Sequence, residues 1–261
     1  MWSPITSCQM RKNITPASCG SPSHPSLAAA HHVCLMRQHY PLFTTYYVLP
    51  TMYFITGIHT DAGKTVTSAF LQRALDADYW KPIQAGDLDF GDTDRVKAWT
   101  GSPHDRFHPV RHALNMPASP HYAARVDGVE IALDDFVLPE TNGRNLIVEG
   151  AGGLLVPVND RETVADLIVH LGLPVILVSR HYLGSINHTL LSINYLKSRG
   201  IPLAGLIYSG GDSPETVRIV GEQTGVWPLV ELPELETVDE AGIDLLVERF
   251  GPELRAALKR G

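Results

Sequence analysis

The stretch Phe54–Leu71, "FITGIHTDAGKTVTSAFL", decides the fold. An apolar run ends at Gly57, a short polar loop leads to Gly63, and Lys64-Thr65 opens a segment with helical spacing of apolar residues. This is the strand–loop–helix of a phosphate-binding loop, in which free N–H groups and the positive dipole end of the helix meet an anion. Gly57 and Gly63 stand one residue further apart than G-x-x-x-x-G-K-[ST] requires. In this reading Gly57, Asp61, Ala62 and Gly63 shape the loop, Lys64 reaches the terminal phosphates, and the Thr65 hydroxyl faces Mg²⁺. A bare Gly-Lys-Thr helix start that binds nothing is the plainer alternative. The position after a strand and before a helix weighs against it.

Outward from this loop, short apolar runs alternate with amphipathic segments. Strands are expected at "MYFITGI", "YWKPIQA", "NLIVEGA", "PVILVSR", "LAGLIYSG" and, more weakly, "WPLVELP". Helices are expected at 64–76, 163–171, 185–199, 214–225 and 239–258, the last broken near Gly251-Pro252. Ser119-Pro120 opens a further short helix. The pattern predicts an α/β, P-loop NTPase-like domain over 52–261, its mostly parallel sheet covered by helices on both faces. Ligands of such sheets sit at the carboxyl ends of the strands.

Residues 1–51 read differently. They are rich in Ser, Pro and His, carry three basic and no acidic residues, and show no sustained period. They are expected to be a disordered extension or the product of an over-long start, with translation beginning at Met52. Without them the body carries 18 Lys+Arg against 28 Asp+Glu, which argues against nucleic acid as a partner. All three cysteines lie in the same segment, so the body has no disulfide, thiolate metal site or cysteine nucleophile, as suits the cytoplasm. No apolar run is long enough to span a membrane.

Several strand-end residues carry chemistry. Lys81, followed by Pro82, can aim an ammonium at a phosphoryl group or simply be solvated. Glu149 closes an apolar strand where a P-loop protein holds Mg²⁺, and Gly150, Gly152 and Gly153 after it let a substrate lie along the backbone. Asp92 and Asp94 lead into a helix, where either can ligate a metal, while Asp92 or Thr93 can instead cap the helix. His104, His108 and His112 recur every four residues, but Pro103 and Pro109 interrupt any helix, so they read as loop residues rather than a metal site.

From Met52 onward the chain resembles the dethiobiotin synthetases, through "TGIHTDAGKT", "YWKPIQAG", "SPHYAA", "VEGAGGLLVPV" and "LGSINHTLLS" in family order. The wide loop G-x-x-x-x-x-G-K-T is that family's own variant. The resemblance implies a ligase of biotin biosynthesis. It carboxylates 7,8-diaminopelargonate with CO₂ and closes the cyclic urea at the expense of ATP, releasing ADP and phosphate. It further implies that Thr60, Lys64 and Lys81 stabilise carbamate and phosphoryl charge, and that Thr65, Asp94 and Glu149 surround Mg²⁺. Gly184, Ser185 and Asn187 would bind the substrate carboxylate from the other subunit of a homodimer. Ser209 stands where the family has an Asn reading the nucleotide base, Ala85 where a hydroxyl residue is common, and Asp61 where Glu is common. The competing reading is a ParA/MinD-like, partner-regulated ATPase, which carries a second lysine where this chain has His59.

Overall fold

The computed structural model describes residues 51–259. Seven parallel strands form one sheet in the order β4-β2-β6-β1-β7-β8-β9. They are β1 Met52–Gly57, β2 Ala77–Trp80, β4 Phe107–His108, β6 Asn145–Gly153, β7 Val175–Ser179, β8 Leu203–Ser209 and β9 Pro228–Leu232. Two further strands, β3 Ile83–Ala85 and β5 His112–Leu114, pair with each other. The helices are α1 Lys64–Ala74, α2 Asp92–Thr100, α3 Pro120–Asp127, α4 Val164–Leu171, α5 Ser185–Ser198, α6 Pro214–Thr224 and α7 Glu240–Leu258.

Alternation along each strand builds two cores. Phe54, Leu146, Val148, Val175 and Leu177 face one side and pack under α4, α5 and α6. Tyr53, Ile55, Ile147, Ile176 and Val178 face the other and pack under α1 and α7. Buried on both faces, these strands need continuous apolar sequence, which is what the runs show. The connection from β1 crosses β6 to reach β2, whereas that from β6 crosses β1 to reach β7. Right-handed crossovers running in opposite directions put their helices on opposite faces and open a crevice beside β1.

The structure departs from the sequence expectation in four places. "YWKPIQA" is two strands, because Pro82 has no N–H for the ladder and turns the chain out of the main sheet. The histidine-bearing segment is not plain loop: His108 ends β4 and His112 begins β5. The glycine-rich exit after Glu149 remains in β6 as far as Gly153. Finally, α7 runs unbroken through Pro252. Pro252 is exposed while Gly251 and Leu254 on either side are buried, so the missing hydrogen bond falls on the solvent side and packing holds the helix. The expectation for residues 1–51 lies outside the described residues.

At the amino end of the sheet, Asp78 of β2 is fully buried and accepts two hydrogen bonds from Arg144, at 2.6 and 3.0 Å, with His108 Nε2 at 3.0 Å. These contacts tie β2, β4 and the start of β6 together. Asp78→Ala leaves Arg144 and Arg106, the latter's Nη1 3.6 Å from Asp78, without their shared carboxylate, and is expected to cost about 3 kcal/mol, the low end for a broken buried pair because Arg144 keeps some solvent. Urea unfolding measures this, and an unchanged midpoint would show the cluster to be neutral to stability.

Candidate active site

The loop after β1 wraps the amino end of α1. Gly63, the residue before the helix, has φ +89, a left-handed conformation that costs other residues about 1 kcal/mol or more. A side chain there would also strike Ser209, whose Oγ lies 2.3 Å from where a Cβ would stand. Lys64 folds back onto the loop, its Nζ donating to the Thr60 carbonyl at 2.7 Å. It is 5% exposed. Burial, then the nearby Lys81 charge, lowers its pKa from 10.5 to about 8, against the pull of Glu149, Asp92 and Asp61.

Opposite the loop, two neighbouring strands bring in the remaining groups. Glu149 of β6 is fully buried. Its Oε1 accepts from Thr65 Oγ1 at 3.0 Å and from Lys81 Nζ at 3.0 Å, and its Oε2 from Tyr79 at 3.0 Å. Tyr79 and Lys81 are two residues apart, so one face of the extended chain delivers both to the same carboxylate. Lys81 also reaches Asp92 Oδ2 at 2.6 Å and the Gly150 carbonyl at 3.2 Å. Burial works against its charge, and Glu149 and Asp92 outweigh burial, so its pKa is raised. Burial pushes the Asp92 carboxyl up, and Lys81 and Arg95 outweigh that in turn, leaving it below the usual carboxylate value.

Thr65 Oγ1 lies 3.3 Å from Asp92 Oδ1 as well as 3.0 Å from Glu149. A hydroxyl and two carboxylates converging beside a phosphate loop are the oxygen donors a hard divalent cation takes, with phosphate oxygens and water completing its octahedron. The residues therefore fit Mg²⁺. The acid is not the expected one, however. Asp94 turns away and accepts the backbone N–H of Gly91 at 3.0 Å, the returning half of a capping box. The spacing Gly91-x-x-Asp94 is the sequence signal for that, and it leaves Asp92 for the site.

These groups line a cleft of about 670 Å³ that also takes in Thr60, Asp61, Gly63 and Gly152. Other expected contributors lie elsewhere. Ala62 is fully buried and offers only backbone. Gly57 is required by the fold of the loop itself, since a Cβ there would sit 2.6 Å from the His59 carbonyl. Gly150 is small because Phe54 packs on it, where a Cβ would meet the ring at 2.6 Å. Gly153 lies against the Gly57 carbonyl, so of the three glycines only Gly152 faces the cleft. Ser209 is buried against Gly63 rather than open to a ligand. Gly184, Ser185 and Asn187 begin α5 away from this cleft, with Gly184 and Asn187 exposed. Tyr79, Arg95 and Arg180 are the site-bordering residues that sequence reasoning missed.

A family profile described as an AAA domain matches residues 51–241. The ATP-dependent dethiobiotin synthetase BioD of Christiangramia forsetii is 48% identical over 206 residues, covering 79% of this chain and 99% of that protein. The ATP-dependent dethiobiotin synthetase BioD of Cytophaga hutchinsonii is 50% identical over 199 residues, covering 76% of this chain and 96% of its own length. Among solved structures, a ParA family ATPase from Chlorobium tepidum aligns with a TM-score of 0.47 at 16% identity, over 80% of this chain and 93% of that one.

Proposed function

Since the chain belongs to the ATP-dependent dethiobiotin synthetase family, we propose that this cleft carboxylates 7,8-diaminopelargonate and closes its cyclic urea. The enzyme is a ligase of biotin biosynthesis that consumes ATP. One observation carries the assignment of the site: Lys81 Nζ, held between Glu149 and Asp92 at the amino end of α1.

An amine of the substrate adds to CO₂, loses a proton and becomes a carbamate. The carbamate oxygen attacks the γ-phosphorus, and ADP departs. The second amine attacks the carbonyl carbon of the mixed anhydride, phosphate leaves, the amine gives up a proton, and the ring closes. The middle step brings an anionic carbamate to an anionic γ-phosphate, so the protein's task is to position the reactants and supply positive charge. Lys64 and the loop amides between Gly57 and Thr65 hold the phosphates, with Thr60 at the loop's edge. Lys81 stands where carbamate and γ-phosphate meet. Thr65, Asp92 and Glu149 would hold Mg²⁺, which offsets charge on the phosphate oxygens. The family resemblance adds a homodimer, the α5 start of the second copy (Gly184, Ser185, Asn187) taking the substrate carboxylate. The same reading has the enzyme work in the cytoplasm, which its cysteine-free body suits. Among the described residues no helix is long and apolar enough to cross a membrane.

The test mixes the full chain with diaminopelargonate, bicarbonate and MgATP, and follows ADP release together with the mass of the cyclic urea. Product that needs every substrate, and that vanishes in Lys64→Ala, is expected. A chain begun at Met52 is expected to match it, since the proposed domain spans 52–261. ATP hydrolysis indifferent to diaminopelargonate would overturn the assignment in favour of a partner-regulated ATPase.

A further inference from the structure

The triphosphate end of the cleft is built by β1, β2, β6 and α2, but its lining also extends to Arg180, the first residue after β7. Its guanidinium lies face-on against Gly210, where a Cβ would stand 3.5 Å from Nε, 3.7 Å from Cζ and 3.8 Å from Nη2. Arg180 Nη2 donates to Glu234 Oε1 at 2.6 Å. Glu234 follows β9, so the pair bridges the exit of β8, the strand between. The two side chains are 41% and 64% exposed. So open a pair adds little to stability, which does not account for an arginine laid on a glycine at the rim of a nucleotide cleft.

The direction of the nucleotide follows from the other end. Thr65, Asp92, Glu149 and Lys81 all lie on the β6–β2 side of the α1 amino end, so the terminal phosphate points there. The nucleoside then leaves the loop on the β7–β8 side. Ser209, the residue the sequence offers for reading the base, is buried against Gly63. A guanidinium can stack on a base and donate in its plane to ring acceptors.

We infer that Arg180, aimed by Glu234, binds the nucleoside half of ATP and sets the order in which nucleoside triphosphates are accepted. The inference deepens the proposed function and rests on it for the choice of assay. The experiment measures KM and kcat for ATP, GTP and CTP with the full chain, at saturating diaminopelargonate and bicarbonate, in wild type, Arg180→Ala, Arg180→Lys and Glu234→Ala. Calorimetric binding of ADP, GDP and CDP runs beside it. Arg180→Ala is expected to raise the KM for the preferred triphosphate about tenfold, in line with a lost charged hydrogen bond, to keep kcat within about twofold, and to flatten the order. Lysine does not restore the order, because a point charge neither stacks nor donates in a plane. Glu234→Ala moves the order the same way by less. An unchanged order in Arg180→Ala, or an equal loss for every nucleotide as from a phosphate contact, overturns the inference. If wild type binds ADP but makes no cyclic urea, the proposed function fails while the diphosphate series still decides this one.

Discussion

Lys81→Met is expected to lower turnover by about a thousandfold, the upper range for removing one group that stabilises developing charge. Methionine keeps the length of the stem and removes only the ammonium. In the native chain that ammonium stands 2.6 Å from Asp92 and 3.0 Å from Glu149, inside the protein. Without it, two carboxylates and a hydroxyl are left facing the incoming anions. Stability should fall as well, by about 3 kcal/mol, because Glu149 stays buried without its ion-pair partner. The sign of the pH effect follows from Asp92. Its carboxyl is held below the usual value, so its contribution is present at neutral pH and disappears as pH falls through the folded-state pKa. The variant lacks the Lys81 share of that contribution, so its stability gap from wild type is wide at neutral pH and narrows in acid. Steady-state turnover and urea unfolding across pH report the two effects separately. A variant keeping more than a tenth of native turnover would remove Lys81 from the chemistry.

What the sequence could reveal depended on how local each signal is. The loop Gly57–Thr65 and the acid Glu149 were legible because a strand, a turn and a helix start are contiguous, and their geometry follows from a few residues. The choice between Asp92 and Asp94 was not legible in the same way. Two residues apart in a helix point in nearly opposite directions, and which one faces the site depends on how α2 docks on α1. The capping spacing from Gly91 favours Asp94 as the cap, but a resemblance to a family pattern pointed the other way. The apolar run "YWKPIQA" makes Lys81 a strand residue, whereas Pro82 sends the chain out of the sheet and leaves Lys81 at the joint between β2 and β3. That joint is what lets it lie across both carboxylates. Arg180 follows an apolar run in the same manner as Glu149 ends one, but a surface arginine carries no local signature. Only its contact with Gly210 and Glu234 sets it apart.

Nucleotide affinity is expected to fall about tenfold per pH unit above pH 8 while the stability of the free protein rises over the same range. Both follow from Lys64. In the free chain it is buried and beside Lys81, and its pKa is brought down to about 8. A bound phosphate favours the charged form, so binding above pH 8 must take up a proton, and affinity weakens with the proton concentration. Folding has the opposite sign. The unfolded lysine titrates at its ordinary value of 10.5, so between pH 8 and 10.5 the unfolded chain holds more protons and stability increases with pH. Below pH 8 the lysine is charged in both states and the cost of burying it is fully present. Lys81 does not blur the result, because its pKa is raised and it stays charged throughout. The terminal phosphate of ADP is already ionised there, with its last pKa near 6–7. Calorimetry with ADP from pH 7 to 10, beside urea unfolding in the same buffers, gives both slopes. Lys64→Arg, charged at every pH in the range, should bind with a flat profile whatever its absolute affinity. Equal affinity at pH 8 and pH 10 in the native chain would mean that the loop carbonyls and nearby acids hold the ammonium charged, and that burial does not govern this lysine.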